Sequence, residues 1–178
     1  MSKSSFVFSG VVFFCVLIVS CASKNETIDG LENMVEYSSV SDSLSYISKV
    51  EKNKKAGEEF LEVNKLNKGL KVTPTGMQYL AIKEGDGSNP ITDSEVSVKY
   101  KCFLLDGSII EDKMEEAVVL EINQQISGLK EGLLLMNQGS KYKFFLPYKL
   151  AKDKKQSKGN ILPYSVLIYE VELVYIVK

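Results

Sequence analysis

The side chains able to do chemistry in this chain of 178 residues are carboxylates, lysines, tyrosines and three cysteines, with no histidine among them. Without imidazole there is no Ser-His-Asp or Cys-His nucleophile system, and the commonest protein ligand for zinc and copper is missing. No metal centre and no cofactor is expected. What remains is carboxylate chemistry, lysine chemistry, or catalysis that needs no proton transfer by a side chain. The charges balance to −1 and every basic residue is Lys. That leaves no electrostatic footprint for nucleic acid, which is not an expected partner.

Cysteine carries the first positional signal. Lys3 opens the chain, Phe6 to Val19 is an apolar run, and small residues follow it, the layout of a secretory signal peptide over residues 1–20. The run is too short for a good membrane span. Leu17-Ile18-Val19-Ser20-Cys21 resembles a bacterial lipobox, which implies cleavage before Cys21 and a diacylglycerol on its sulfur. The alternative is an ordinary cleaved signal that leaves Cys21 as a free thiol, a liability outside the cytosol. With Cys15 removed and Cys21 acylated, only Cys102 stays unmodified, so no internal disulfide is expected. Acyl chains contribute roughly 0.8 kcal/mol per buried CH2, so two or three hold a protein at a membrane without a spanning helix. No Asp follows Cys21, and by analogy the outer membrane is expected over the inner.

The elements that must position any site come next. Residues 21–40 are polar, acidic and weakly patterned, and read as a flexible tether. Residues 41–69 read as a short helical segment. Ser41 or Ser43 is placed to N-cap a helix carrying Leu44 and Ile47, and a second stretch from about Glu51 to Asn67 sets Ala56, Phe60, Val63 and Asn67 at helical spacing, with Gly69 as its cap. After Pro74 the pattern changes to strands. Gln78 to Lys83 is extended; Val96, Val98, Tyr100 and Cys102 alternate with polar residues; Asp106-Gly107 turns into Ser108 to Glu111; Val118 to Ile122 is a further strand. Ser127 to Met136 is the only helix expected in this half. Tyr142, Phe144 and Leu146 alternate again, and Val166 to Val177 sets Leu167, Tyr169, Val171 and Leu173 on one face. Residues 70–178 are therefore expected to form an α+β domain, five or six antiparallel strands wrapped around one short helix, preceded by a helical N-terminal segment.

The order of these elements and the residues at their junctions resemble the FKBP-type peptidyl-prolyl cis-trans isomerases from about Lys71 to Lys178. The pieces are Val96-Ser-Val-Lys-Tyr100, Leu105-Asp-Gly107, Gln125-Ile-Ser-Gly128, Glu131-Gly-Leu-Leu-Leu-Met136, Gly139-Ser140, Pro147, and Ile161-Leu-Pro163 running into Val166-Leu-Ile-Tyr-Glu-Val-Glu-Leu173. Each is weak alone, and their joint order is specific. Upstream, Ala56-Gly-Glu-Glu-Phe60-Leu-Glu-Val-Asn64 and Thr73-Pro-Thr-Gly-Met-Gln-Tyr79 are similar to the macrophage infectivity potentiator subgroup, and Asp42-Ser-Leu-Ser-Tyr46 resembles the start of its helical dimerisation module. Few residues separate these matches where the subgroup has most of an entwined helical domain, so a monomer is expected.

The resemblance implies a pocket for a prolyl ring. It puts the catalytic positions on Tyr100, Glu111 and Ile126, the last through its backbone N–H. The pocket lining falls on Ile110, Leu120, Gln125, Leu129, Lys152, Ile161 and Tyr169. Several depart from the family pattern: Ile110-Glu111 stands for Phe-Asp, Leu120 for Phe, Gln125 for Val, Leu129 for the floor Trp and Lys152 for Tyr. From the residues alone, the aliphatic positions read as core, Tyr100 as a strand aromatic, Glu111 as one surface acid among many and Cys102 as a buried inert thiol. The function implied is isomerisation of proline-containing exported polypeptides, with activity reduced by the lost aromatics. The alternatives are a catalytically impaired binding or chaperone module on the membrane and a structural surface lipoprotein.

Overall fold

The computed structural model describes the backbone of residues 26–151 and 161–178, and side chains from residue 40 onward within those bounds. The expected signal peptide, Cys21 and Lys152 lie outside the described residues. The chain divides into two compact units at Asp42/Ser43.

The first element is one continuous helix, α1 (Glu26–Asn64), which starts inside the stretch expected to be a tether and runs through the serines expected to cap the short helix carrying Leu44 and Ile47. Ser costs only a few tenths of a kcal/mol in a helix interior, and elongation adds a hydrogen bond per residue once a turn exists, so Ser41 and Ser43 do not stop it. The expectation of a monomer rested on the few residues between the Asp42–Tyr46 and Ala56–Asn64 matches; α1 runs through both as one helix of 39 residues and leaves Leu44, Tyr46 and Ile47 exposed.

Within the second unit the C-terminal half of α1 is anchored. Gln78 Nε2 donates to the Leu61 carbonyl at 2.7 Å, and Asn64 Nδ2 donates to Gln78 Oε1 at 2.8 Å, with both side chains buried. These bonds satisfy polar groups that burial would otherwise penalise. Asn53 Nδ2 donates to the Pro163 carbonyl at 2.8 Å, and the rings of Phe60 and Phe145 meet at 5.8 Å.

The strands are β1 (Lys71–Val72), β2 (Gln78–Lys83), β3 (Glu95–Phe103), β4 (Ile109–Glu121), β5 (Lys141–Leu146) and β6 (Leu167–Ile176). They form one antiparallel six-stranded sheet in the order β1-β2-β5-β6-β3-β4. Both inward sets read from alternation are buried: Val96, Val98, Tyr100 and Cys102 on β3, and Leu167, Tyr169, Val171 and Leu173 on β6. The two separate strands expected around Ser108–Glu111 and Val118–Ile122 are the ends of the single strand β4. Its pairing jumps from Val98↔Val118 to Tyr100↔Lys113, a bulge that spoils the period-two pattern between them.

Against the inner face lies α2 (Ser127–Leu134), with Leu129 and Leu133 buried in the core and Met136 just beyond it. A four-residue helix, α3 (Tyr148–Ala151), is a second helix in a region expected to hold one. Two glycines let α2 sit close. A Cβ on Gly132 would lie 2.9 Å from two ring carbons of the fully buried Phe144, and one on Gly128 would lie 2.9 Å from both Leu146 methyls.

Gly132→Ala therefore tests the packing by its sign. Helix propensity alone would raise stability by about 1 kcal/mol, whereas overpacking against Phe144 costs about 1–3 kcal/mol. Urea unfolding is expected to show a net loss; a net gain would mean that α2 has room to move off the sheet.

Candidate active site

The inward face of the sheet carries a row of directly opposed residues: Phe144 on β5 faces Tyr169 on β6, Tyr169 faces Cys102 on β3, and Cys102 faces Glu111 on β4. Opposed residues of antiparallel strands project to the same side, so register alone gathers these groups. Tyr100, two residues from Cys102, shares that face, and its ring centroid is 6.1 Å from that of Tyr169. The row begins in the core and ends at the exposed Glu111 on the edge strand.

Electrostatics follows from that gradient. Burial, then a hydrogen bond from its hydroxyl to the Glu111 carboxylate, then the charge of Glu111, hold the Tyr100 phenol protonated well above its ordinary range. Tyr169 is pushed up chiefly by burial and next by Cys102, to whose sulfur its hydroxyl donates. Burial pushes the Cys102 thiol up to about 11; the Tyr169 hydrogen bond works the other way, and Glu111 adds to the rise. The cluster is two neutral phenols and a neutral thiol at ordinary pH, ending in one carboxylate.

The remaining candidates surround this row unevenly. Leu129 is in the core on α2, and Leu120 and Ile126 are partly buried against it. Ile126 is the N-cap of α2 with extended ψ of 149°, and its N–H donates to no group among the described residues. Gln125 is half-buried with its side-chain amide donating to the Glu121 carbonyl at 3.0 Å. Ile110 is exposed at the turn into β4. Ile161 lines a cavity of about 340 Å³ with residues from α3 and the segment before β6. Two aromatics of that cavity, Tyr148 and Tyr164, were not singled out from the sequence, because each follows a proline outside any periodic run; Tyr164 also stands at positive φ. No group of three or more acidic, Cys or His side chains placed to hold a metal occurs among the described residues.

A family model for the FKBP-type peptidyl-prolyl cis-trans isomerase matches residues 87–174, and one for the domain amino-terminal to it matches residues 23–80. The chain belongs to the FKBP-type family. The second match takes in all of α1 and residues 23–40 of the stretch expected to be a tether. The chain is 41% identical over 128 residues to the FKBP-type peptidyl-prolyl cis-trans isomerase FkpA of Aeromonas hydrophila, covering 71% of this chain and 47% of that protein. It is 34% identical over 138 residues to the outer membrane protein MIP of Legionella longbeachae, covering 76% and 59%. The chain thus spans about half the length of the curated relatives it matches. The crystal structure of FkpA from Escherichia coli aligns with a TM-score of 0.73 at 28% identity, over 88% of this chain and 74% of that one.

The raised thiol gives a pH prediction. A group protonated more strongly in the folded state contributes stability that is complete below its unfolded pKa and lost as pH rises through its folded value. For Cys102 that window runs from about 9 to about 11. Stability to urea is expected to fall across it, and Cys102→Ala to fall less steeply; parallel profiles would mean that the thiol is not held neutral by burial.

Proposed function

We propose that the chain catalyses cis-trans isomerisation of Xaa-Pro bonds in exported polypeptides. The barrier to that rotation, about 18–20 kcal/mol, is the loss of amide resonance. No bond is made or broken, so a catalyst lacking His needs only an apolar cradle that keeps water off the planar amide and a few placed polar groups that favour the twisted one. The observation that carries the reading is the inward row of Tyr169, Tyr100 and Glu111, in which a buried aromatic face ends in a neutral phenol whose proton is held by the nearby Glu111 carboxylate. The free N–H of Ile126 at the start of α2 supplies a donor suited to a substrate carbonyl. Leu120 and Leu129 give the cradle aliphatic walls, and Ile110, Gln125, Ile161, Tyr169 and Lys152 complete the proposed lining.

The second reading, a binding or chaperone module with little turnover, is favoured by Leu129. An aliphatic floor offers a prolyl ring no flat aromatic face, and the missing contact of roughly 50–100 Å² is worth about 1–3 kcal/mol at 25–30 cal/mol/Å². A protease-free isomerisation assay on Xaa-Pro peptides separates the two. Tyr100→Phe is expected to lower kcat/KM about tenfold, the cost of one hydrogen bond to a charged group. Glu111→Gln is expected to lower it less, because an amide oxygen still accepts from Tyr100. A natural chain with no turnover above the uncatalysed rate, while still binding proline peptides, would replace the first reading with the second.

We also infer that the mature chain is held at the outer membrane by lipid on Cys21. The lipobox-like Leu17-Ile18-Val19-Ser20-Cys21 supports this, as does similarity to a Legionella relative named for that membrane. Among the described residues no helix is long and apolar enough to cross a membrane. Cys21→Ser is expected to move the protein from the detergent phase to the aqueous phase. Unchanged partitioning, with unchanged mass of the natural chain after processing, would rule the lipid out.

A further inference from the structure

Ile161, one proposed wall of the prolyl pocket, is carried on the segment that leads into β6, ahead of the strand ladder that begins at Leu146↔Leu167. Within that segment Tyr164 stands at φ 64°, a left-handed conformation that a bulky side chain enters only at a cost. A residue in such a conformation persists where its surroundings over-determine it. Here the surroundings are one turn of α1. Asn53 Nδ2 donates twice, to the Pro163 carbonyl at 2.8 Å and to Ser165 Oγ at 3.1 Å. Ser165 is buried, and its Oγ in turn donates to the Leu162 carbonyl at 2.7 Å. The bonds thus hold the chain on both sides of Tyr164 and reach the residue next to Ile161.

Two neighbours of Asn53 press on the same segment. A Cβ on Gly57, one turn further along α1, would lie 3.0 Å from a Val166 methyl and 3.6 Å from the Tyr164 carbonyl oxygen. Lys54 Nζ lies 5.5 Å from the Tyr164 ring centroid, a cation–π contact. The other polar anchor of the helix holds something different. Asn64 Nδ2 donates to Gln78 Oε1 at 2.8 Å, and Gln78 belongs to β2, which is paired on both sides and carries no proposed pocket residue. Two anchors of similar chemistry on one helix therefore hold a strand already fixed by the sheet and a segment that lies ahead of its ladder.

We propose that Asn53 is a positioning residue of the isomerase: through Pro163 and Ser165 it fixes the segment that carries Ile161, so that α1 sets the shape of the prolyl pocket from outside it. The inference rests on the proposed isomerase function. Without Asn53 the segment has the strain at Tyr164 to relieve and a buried hydroxyl that has lost its donor. It then holds the binding-competent arrangement only part of the time, and the apparent affinity falls by that fraction. Tyr100, Glu111 and the Ile126 N–H stand on β3, β4 and the start of α2, apart from this segment. The loss therefore falls on binding of the client and not on turnover of the bound one.

The test compares the natural full chain with Asn53→Ala, Asn53→Asp and Asn64→Ala. Urea unfolding gives stability, a protease-free assay on an Ala-Pro tetrapeptide gives kcat and KM, and amide NMR titration with the same peptide gives Kd. Asn53→Ala is expected to raise KM and Kd about three- to tenfold with kcat unchanged. Asn53→Asp keeps the size but sets an acceptor against the Pro163 carbonyl, and is expected to raise both further. Asn64→Ala is expected to lose at least as much stability as Asn53→Ala while kcat, KM and Kd stay at their natural values. Ser165→Ala breaks the same relay from its other end, so its effect on Kd combined with Asn53→Ala is expected to be less than the sum of the two in free energy. Unchanged KM and Kd in Asn53→Ala, an equal rise in Asn64→Ala, or a fall in kcat alone would make Asn53 merely structural and overturn the inference. Failure of the isomerase reading looks different: the natural chain shows no turnover, and the Kd of Asn53→Ala against that of the natural chain still decides whether Asn53 shapes the pocket. A natural chain that does not bind the peptide at all overturns both.

Discussion

The close approach of α2 to the sheet is the constraint on which the rest depends. Gly128 and Gly132 leave no room for a Cβ against Leu146 and Phe144, so the helix backbone itself becomes part of the core. That approach buries Leu129 and Leu133 and brings Ile126, at the helix start, against the core with its N–H unused. A larger residue at either glycine would lift the helix, opening the apolar face that the proposed cradle needs and weakening the burial that holds Tyr100 and Tyr169 neutral.

Strand register does the remaining positioning. Glu111 belongs to the exposed edge strand and Tyr169 to a buried central one, yet both oppose Cys102 and so share one face. The row passes from full burial at Phe144 to solvent at Glu111 across four strands. That gradient lets a phenol and a thiol stay neutral beside a carboxylate, a useful condition for a site that must desolvate an amide without moving a proton.

The C-terminal half of α1 serves a different purpose, covering the sheet's other face around Phe145 and tying down the segment that leads into β6. Asn53 holds the Pro163 carbonyl just ahead of Tyr164, so the helix and the cavity wall are mechanically linked. A Cβ on Gly57 would sit 3.0 Å from a Val166 methyl, which shows how tightly this contact is drawn.

Local periodicity was readable because it follows from covalent geometry: strand residues alternate faces whatever surrounds them, and β3 and β6 declared their inward sets without help. The β2 span, the α2 helix and the family resemblance were legible in the same way, as was the absence of imidazole chemistry. What the sequence could not decide was which local preference would be overruled by packing. Serines at 41 and 43 looked like caps, although a helix already formed on both sides passes through them. β4 looked like two strands, because its bulge and its exposed edge erase alternation. The pairing of Glu111 with Cys102 and the meeting of Tyr148 with Tyr164 depend on how distant segments stack, and no spacing along the chain encodes a contact that only the closed sheet creates.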